Sequence, residues 1–152
     1  MPKVLLIEDS KLVKILHERV LTRAGYQVVS AADGEEALKI AAGVAPDVIL
    51  LDMMLPKVSG PEVLRSLKKD PATAHIPVIV LTALSRKNEE KLLHDGADAF
   101  LEKAALLDST EPLLDLVKRT LQEKKVPQPQ PFRADAMNWT LNGTESGIET
   151  RI

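Results

Sequence analysis

The amino-acid sequence predicts an α/β domain in which five helices cover a doubly wound, five-stranded parallel sheet. Short apolar runs alternate five times with segments of helical periodicity between residues 3 and 125. The links between these segments are short, which favours right-handed βαβ crossovers. The first, third and fourth apolar runs are nearly unbroken, as expected for strands that are buried on both faces of a parallel sheet.

The first half of the chain contains two predicted strands and two predicted helices. Lys3–Glu8 is a short apolar run that ends in acids, and Tyr26–Ser30 is a second strand-like run. Between them, apolar residues recur at helical spacing from Ser10 until Gly25 ends the pattern. Asp33–Ala42 is helical again. The order strand, helix, strand, helix is therefore established early.

The second half of the chain repeats this alternation three times. Its predicted strands are Asp47–Asp52, Ile76–Thr82 and Ala99–Glu102. Its predicted helices run from Gly60 to Pro71, from Arg86 to Asp95 with Gly96 as the stop, and from a Ser109 or Thr110 cap through Leu113, Leu114, Val117 and Leu121. The domain is expected to end near Lys125.

The composition restricts the classes of function. A chain of 152 residues that is 45% apolar and 28% charged is long enough for one compact domain with a core. A net charge of −2 provides no long-range attraction to nucleic acid or to an anionic membrane. The absence of cysteine excludes disulfides and cysteine-ligated metal. No secretory signal and no apolar run of about 18 residues are present, so we expect a cytoplasmic protein.

The chemistry is concentrated where the predicted strands end, because doubly wound folds bind ligands beyond the carboxyl ends of their strands. The residues there are Glu8, Asp9, Asp52, Thr82 and Lys103. Each is ordinary alone, since an Asp after a strand is often a turn residue and a Lys is usually solvated. Together they bring three carboxylates to one edge, where two like charges about 4 Å apart repel by roughly 4 kcal/mol at an effective dielectric near 20. A cation is needed there.

Lys103 supplies one positive charge, and the remainder suits Mg²⁺, which prefers carboxylate, carbonyl and water oxygens. A divalent ion beside a carboxylate, a hydroxyl and a lysine is suited to phosphoryl transfer, which depends on positioning and charge neutralisation. Asp52 is then predicted to be a nucleophile that forms an acyl phosphate.

These residues resemble the receiver domain of two-component response regulators over residues 3 to about 124. The matching set is the pair Glu8-Asp9, Asp52 with Pro56 four places later, Gly60, Thr82 followed by Ala83, and Lys103. The resemblance implies a flavodoxin-like sheet with the strand order 2-1-3-4-5. It also implies that Asp52 accepts a phosphoryl group from a sensor histidine kinase or a phosphotransfer protein. In the same family pattern, Glu8, Asp9, Asp52 and the main-chain carbonyl of Met54 hold Mg²⁺.

The resemblance further implies how a signal leaves the domain. Lys103 would pair with the phosphoryl oxygens, Thr82 would move its hydroxyl toward the phosphate, and Phe100 would turn inward. The face formed by the fourth helix and the fifth strand would then change shape for a downstream protein target, with a homodimer as a possible form. On this interpretation the chain is a binding switch, not an enzyme, and it has no nucleic-acid or membrane partner.

Two features depart from the family pattern. A proline often follows the lysine through a cis bond, whereas this chain has Lys103-Ala104. A non-proline cis bond costs roughly 2.5 to 4 kcal/mol, so the bond is either trans or strained. Met54 and Leu84 flank the phosphoryl site in this family, and neither can hold an attacking water by hydrogen bonding. They predict slow loss of the phosphoryl group.

Two other functions stay open at the level of sequence. One is a doubly wound, Mg²⁺-dependent phosphohydrolase that uses Asp52 as nucleophile; its usual pattern has a second Asp at the position of Met54. The other is the receiver fragment of a larger regulator whose output domain is missing. His17, His75 and His94 are scattered, and all three are predicted to lie at the surface or at its boundary.

Residues 1–125 are predicted to be the receiver domain, and residues 126–152 a Pro/Gln-rich spacer followed by a flexible tail. The tail contains Phe132 and Trp139, half of the four aromatic residues of the chain. Because this apolar content is high for a solubilising segment, a second hypothesis is that Met137–Leu141 docks on its own receiver, on a neighbouring copy or on a target.

Overall fold

The computed structural model describes residues 1–83, 89–106 and 109–125, and these contain five strands and five helices. The strands are β1 (Lys3–Ile7), β2 (Gln27–Ala31), β3 (Val48–Asp52), β4 (Val78–Thr82) and β5 (Ala99–Glu102). The helices are α1 (Lys11–Arg23), α2 (Gly34–Val44), α3 (Gly60–Lys69), α4 (Glu89–His94) and α5 (Glu111–Lys125). A single 3-10 turn, Lys103–Leu106, follows β5.

The sheet has the order β2-β1-β3-β4-β5, and every neighbouring pair is parallel. The predicted fold class and strand order are therefore confirmed. Ile7 at the end of β1 lies opposite both Ala31 and Leu51, and Asp52 lies opposite Leu81. The chain direction across the sheet reverses between β1 and β3, which places the switch-point crevice between Glu8 and Asp52.

Two apolar cores cover the two faces of the sheet, because successive strand residues point to opposite sides. One core combines residues such as Leu5 and Ile7 with side chains from α2 and α3. The other combines Val4 and Leu6 with Leu21 of α1 and the inner face of α5. Every residue of β3 and of β4 is buried. Asp52 and Thr82, the last residues of these two strands, consequently rest on a tightly packed base.

Side-chain caps fix where three of the helices begin. Ser10 Oγ accepts a hydrogen bond from the Val13 N–H, Asp33 Oδ1 accepts one from the Glu36 N–H, and Ser59 Oγ accepts one from the Glu62 N–H. Each cap satisfies one of the N–H groups that the first turn leaves unpaired. The caps at Ser10 and Ser59 belong to the loops after β1 and β3, which carry the predicted site.

The described part of the chain differs from the sequence prediction at a few boundaries. The fourth helix was predicted to span Arg86–Asp95 and is present as Glu89–His94, while residues 84–88 lie outside the described residues. Ser109 Oγ accepts a hydrogen bond from the Glu111 N–H at the start of α5, as a cap would. Residues 126–152, including the proposed docking segment Met137–Leu141, also lie outside the described residues.

The chain divides into two units, Met1–Leu121 and Gln122–Ile152. The first unit contains the sheet, both cores and all the predicted site residues. Of the second unit, only residues 122–125 are described. No helix in the described ranges is both long enough and apolar enough to cross a bilayer.

Candidate functional site

An open cleft of about 550 Å³ lies at the carboxyl edge of the sheet. Its lining residues are Glu8, Asp9, Ser10, Val13, Asp52, Met53, Met54, Leu55, Pro56, Ser59 and Lys103. Asp52 is the last residue of β3, and its side chain is almost completely buried. Glu8 is buried to the same extent, whereas Asp9 is exposed. The cleft thus brings together five of the predicted site residues.

Asp52 is held by two donors. Lys103 Nζ lies 2.8 Å from Asp52 Oδ1, and the backbone N–H of Met54 donates to the same oxygen at 3.1 Å. Charge-assisted hydrogen bonds of this length are among the stronger ones in proteins. Lys103 is therefore the charge that compensates the buried carboxylate. The described residues contain no cis peptide bond, so the Lys103-Ala104 bond is trans, the first of the two alternatives.

The three acids form one cluster. Carboxylate oxygens of Glu8, Asp9 and Asp52 lie within 4.8 Å of one another. Glu8 Oε2 accepts a hydrogen bond from the Ser10 N–H, whereas the buried Oε1 has no hydrogen-bond partner among the described residues. Burial, followed by the negative charge of Asp52, raises the pKa of Glu8 from its ordinary value of 4.5 to about 7.

This donor set fits a hard divalent cation. The buried Oε1 atom of Glu8 has no hydrogen-bond partner among the described residues and is available as a ligand atom. The negative charge of Asp52, which adds to the effect of burial in raising the pKa of Glu8, is one that a bound cation would offset. All of the donors are oxygens, which suits Mg²⁺ and excludes sites that prefer thiolate. Met54 lies two residues after Asp52 and lines the same cleft, so its main-chain carbonyl belongs to the loop that follows Asp52. Its side chain is 68% exposed.

The loop after β3 is shaped by a glycine. A Cβ atom on Gly60 would lie 2.5 Å from the Cα of Met53, closer than any real contact allows. The Gly60 N–H instead donates to the Met53 carbonyl at 3.3 Å. Gly60, which belongs to the receiver motif, therefore permits the start of α3 to pack directly against the residue after Asp52.

Thr82 and Phe100 lie on the neighbouring strands and do not line the cleft. Thr82 is the buried last residue of β4, one position beyond the partner of Asp52 in the ladder. Phe100 on β5 lies opposite Val80 and packs, partly buried, against the core on the α2 and α3 face. Their proposed switch role stays a prediction, since register and burial alone do not test it.

One histidine contradicts the sequence prediction. His17 is buried, only 4% exposed, whereas His75 and His94 are exposed as predicted. His17 and Leu21 are the two buried residues of α1 and lie one turn apart on its inner face. The signal that could have identified it is the spacing Val13, His17, Leu21, in which each residue follows the previous one by four positions.

Comparison with known proteins identifies the family. The family model of the response regulator receiver domain matches residues 4–118 of this chain. The chain belongs to this family. The match favours the receiver over the phosphohydrolase as the function of the Asp52 site.

Curated relatives of this receiver domain differ in how much of their length it spans. It is 41% identical to the polar-differentiation response regulator DivK of Brucella anthropi over 105 residues, which are 68% of this chain and 85% of DivK. It is 38% identical to the DNA-binding dual master transcriptional regulator RpaA of Synechocystis over 130 residues, 84% of this chain but 53% of RpaA. It is 43% identical to the response regulator PleD of Caulobacter vibrioides over 102 residues, 66% of this chain but 22% of PleD.

Solved receiver domains share its architecture. The receiver domain of the Francisella response regulator 1452 superimposes with a TM-score of 0.75 at 32% identity, covering 82% of this chain and 100% of that one. The receiver domain of a Pseudomonas aeruginosa sensor histidine kinase, with magnesium coordinated in its active site cleft, superimposes with a TM-score of 0.70 at 28% identity, covering 80% and 98%. Receiver domains bind Mg²⁺ at an acidic site, interact with histidine kinases or phosphotransfer proteins, and are generally signalling modules without enzymatic activity.

Proposed function

We propose that this receiver domain accepts a phosphoryl group on Asp52 and signals through a change in its protein-binding surface. The observation that carries this proposal is the contact between the buried Asp52 carboxylate and Lys103, at 2.8 Å, on the floor of an open cleft. A carboxylate oxygen would attack the phosphorus of a phosphohistidine, so that an O–P bond forms and the N–P bond breaks. The released imidazole nitrogen then takes up a proton from solvent.

The residues around Asp52 have distinct proposed roles. Glu8, Asp9, Asp52 and the Met54 carbonyl would hold Mg²⁺, which supplies positive charge to the transferred phosphoryl oxygens. The unpartnered Oε1 of Glu8 and the short separations in the acidic cluster support this assignment. Lys103 would keep the acceptor carboxylate aimed into the cleft and afterwards pair with the phosphoryl group.

Thr82 and Phe100 are proposed to carry the response away from the site. Thr82 ends β4 beside the strand of Asp52, and Phe100 lies on the next strand, against the core under α3. Movement of the Thr82 hydroxyl toward a phosphoryl group would vacate space on the side of Phe100. A downstream protein target would read the changed surface beside β5.

The phosphodonor is proposed to dock over the exposed start of α1. Leu12 is 79% exposed, and Ile15 and Leu16 are about half exposed. Val13, between them, lines the cleft that opens onto Asp52. Because Asp52 lies at the cleft floor, a phosphorylated histidine must enter across this rim, where apolar side chains can exclude water. A sensor histidine kinase or phosphotransfer protein with an apolar contact face fits this surface.

The domain organisation of this protein is also a proposal, because the relatives differ in length. Residues 1–125 are taken as the receiver domain and residues 126–152 as a spacer and tail. The chain spans about half of RpaA and about one fifth of PleD, so a larger regulator with an additional output region stays a candidate beside a single-domain regulator such as DivK.

Phosphorylation of Asp52 is tested by mass spectrometry. Wild type and Asp52→Asn are incubated with acetyl phosphate and Mg²⁺, and the intact mass is measured. We expect wild type to gain one phosphoryl group and Asp52→Asn to gain none. Asp115→Asn is the matched control, because Asp115 is an exposed acid on α5 that pairs with Arg119; it should behave as wild type. A gain in both wild type and Asp52→Asn, or in neither, would overturn the assignment.

A further inference from the structure

His17 is a buried titratable group that the proposed phosphorylation chemistry does not use. It is 4% exposed on the inner face of α1, and its Nδ1 atom is buried without a hydrogen-bond partner among the described residues. An apolar side chain would fill such a position without leaving a polar atom unpaired, so the imidazole is costly there. Its surroundings indicate what it contributes.

The imidazole borders a second cavity that adjoins the phosphorylation site. This cavity has a volume of about 240 Å³ and is lined by Val13, Leu16, His17, Lys103 and Leu106. Lys103 lines both this cavity and the cleft above Asp52. Lys103 is the first residue of the 3-10 turn after β5, so the side chain whose ammonium group contacts Asp52 lines the same cavity as His17 of α1.

Few charges act on His17. From the turn after β5 it faces the positive Lys103, and from β3 it faces the negative Asp52. The other cavity-lining residues are Val13, Leu16 and Leu106, and α5 contributes Leu113 and Val117 to the core on this face. Burial and then the charge of Lys103 lower the pKa of His17, and Asp52 opposes them. The imidazole is therefore uncharged at neutral pH.

Protonation would change this arrangement. A charged imidazole would place a second cation beside Lys103 in an apolar cavity, where like charges are poorly screened. Of the two side chains, Lys103 has the longer and more exposed stem, about one third exposed, and can swing outward. Repulsion would then move the ammonium group away from Asp52.

We propose that His17 is a positioning residue for Lys103: while uncharged, it lets the lysine stem lie in the cavity with its ammonium group on Asp52, and protonation expels that group and slows phosphorylation. The inference rests on the proposed phosphorylation of Asp52. It makes the receiver less responsive in acid through protonation of His17, in addition to any effect of protonating Glu8.

The test is the pH profile of phosphorylation. Initial rates with acetyl phosphate and saturating Mg²⁺ are measured from about pH 5 to 8 for wild type and His17→Leu, which cannot be charged. We expect the two rates to agree within about twofold at pH 8, and wild type to fall roughly fivefold or more below His17→Leu at the acidic end. Glu8 is present in both proteins, so the ratio of their rates reports the effect of His17, including any that it exerts through Lys103.

Two further variants keep the test decisive. His94→Leu replaces an exposed histidine on α4 and should retain the wild-type profile. His17→Gln keeps a polar, uncharged side chain and should follow His17→Leu, which covers the case in which the leucine variant does not fold. Superimposable profiles for wild type and both folded His17 variants would overturn the proposal.

An NMR titration, which does not require phosphorylation, complements the rate measurements. The titration midpoint of the His17 imidazole, followed by NMR, should rise in Lys103→Ala because a neighbouring positive charge has been removed. An unchanged midpoint would contradict the inference. Absence of phosphorylation in wild type at every pH would instead defeat the proposed function of Asp52, and the two failures are therefore distinguishable.

Discussion

Leu50 and Asp52 lie two residues apart on β3, and both are essentially inaccessible to solvent, yet burial has opposite consequences for them. Leu50 belongs to the apolar core on the α1 and α5 face, where burial is favourable. Asp52 and its neighbour Glu8 are buried acids whose carboxylate oxygens lie within 4.8 Å of each other, and Lys103 contacts Asp52. Burial of the apolar residues of β3 therefore stabilises the folded state, whereas burial of the carboxylate at its carboxyl end destabilises it.

Truncating the buried apolar side chain of Leu50 should produce the largest change in the free energy of unfolding. Leu50→Ala leaves a cavity in a fully buried strand and is expected to lower the free energy of unfolding by about 2–5 kcal/mol. Urea denaturation followed by circular dichroism measures this change. Leu12→Ala, at a position that is 79% exposed, is the matched control and should change stability by less than about 0.5 kcal/mol. Equal losses in the two variants would contradict the comparison.

Removing the negative charge of Glu8 should instead stabilise the folded protein. Glu8→Gln keeps an oxygen acceptor for the Ser10 N–H but eliminates a buried negative charge. We expect it to raise the free energy of unfolding at pH 8, without Mg²⁺, by up to about 3 kcal/mol, the equivalent of the pKa rise from 4.5 to about 7. Mg²⁺ should stabilise wild type more than Glu8→Gln, since the variant loses a ligand.

The pH dependence of this difference has a definite sign. The folded chain holds the Glu8 proton up to about pH 7, whereas the unfolded chain releases it near 4.5, so folding takes up a proton between these values. The stability of wild type relative to Glu8→Gln should therefore fall as pH rises through that window. The two proteins should be alike below it, and Glu123→Gln, an exposed change on α5, should show no such divergence. Destabilisation of Glu8→Gln at pH 8 would refute the charge argument.

The smallest effect on stability is expected at the rim, where the Met54 side chain is 68% exposed. Met54→Gln should change the free energy of unfolding by less than about 0.5 kcal/mol. Its amide can hold an attacking water, so we expect the half-life of the acyl phosphate to shorten about two- to tenfold, or about 0.4–1.4 kcal/mol in the barrier. Decay of phosphorylated protein, after removal of the phosphodonor, measures it. An unchanged half-life would show that Met54 does not slow hydrolysis of the acyl phosphate. Leu84, the other residue predicted to slow it, lies outside the described residues.

The strands were predictable because their apolar runs are short, nearly continuous and punctuated, and the acids directly after β1 and β3 could be located by counting from those runs. For helix α4 the predicted end at Asp95 lies one residue beyond the observed end at His94, and the predicted start at Arg86 lies outside the described residues. His17 was misplaced because its own polarity outweighed the spacing from Val13 to Leu21 that assigns it to the inner face of α1.

The order of apolar runs, the acids and lysine that end them, and the glycine at position 60 are properties of the sequence alone, and they were sufficient to predict the fold and the family. Only the tertiary structure decided which oxygen of Asp52 receives Lys103, which oxygen of Glu8 is left unpaired, and that His17 lies beside the lysine. The physical reason is that periodicity determines which elements form, whereas burial and charge at a site depend on side chains brought together from distant strands and helices.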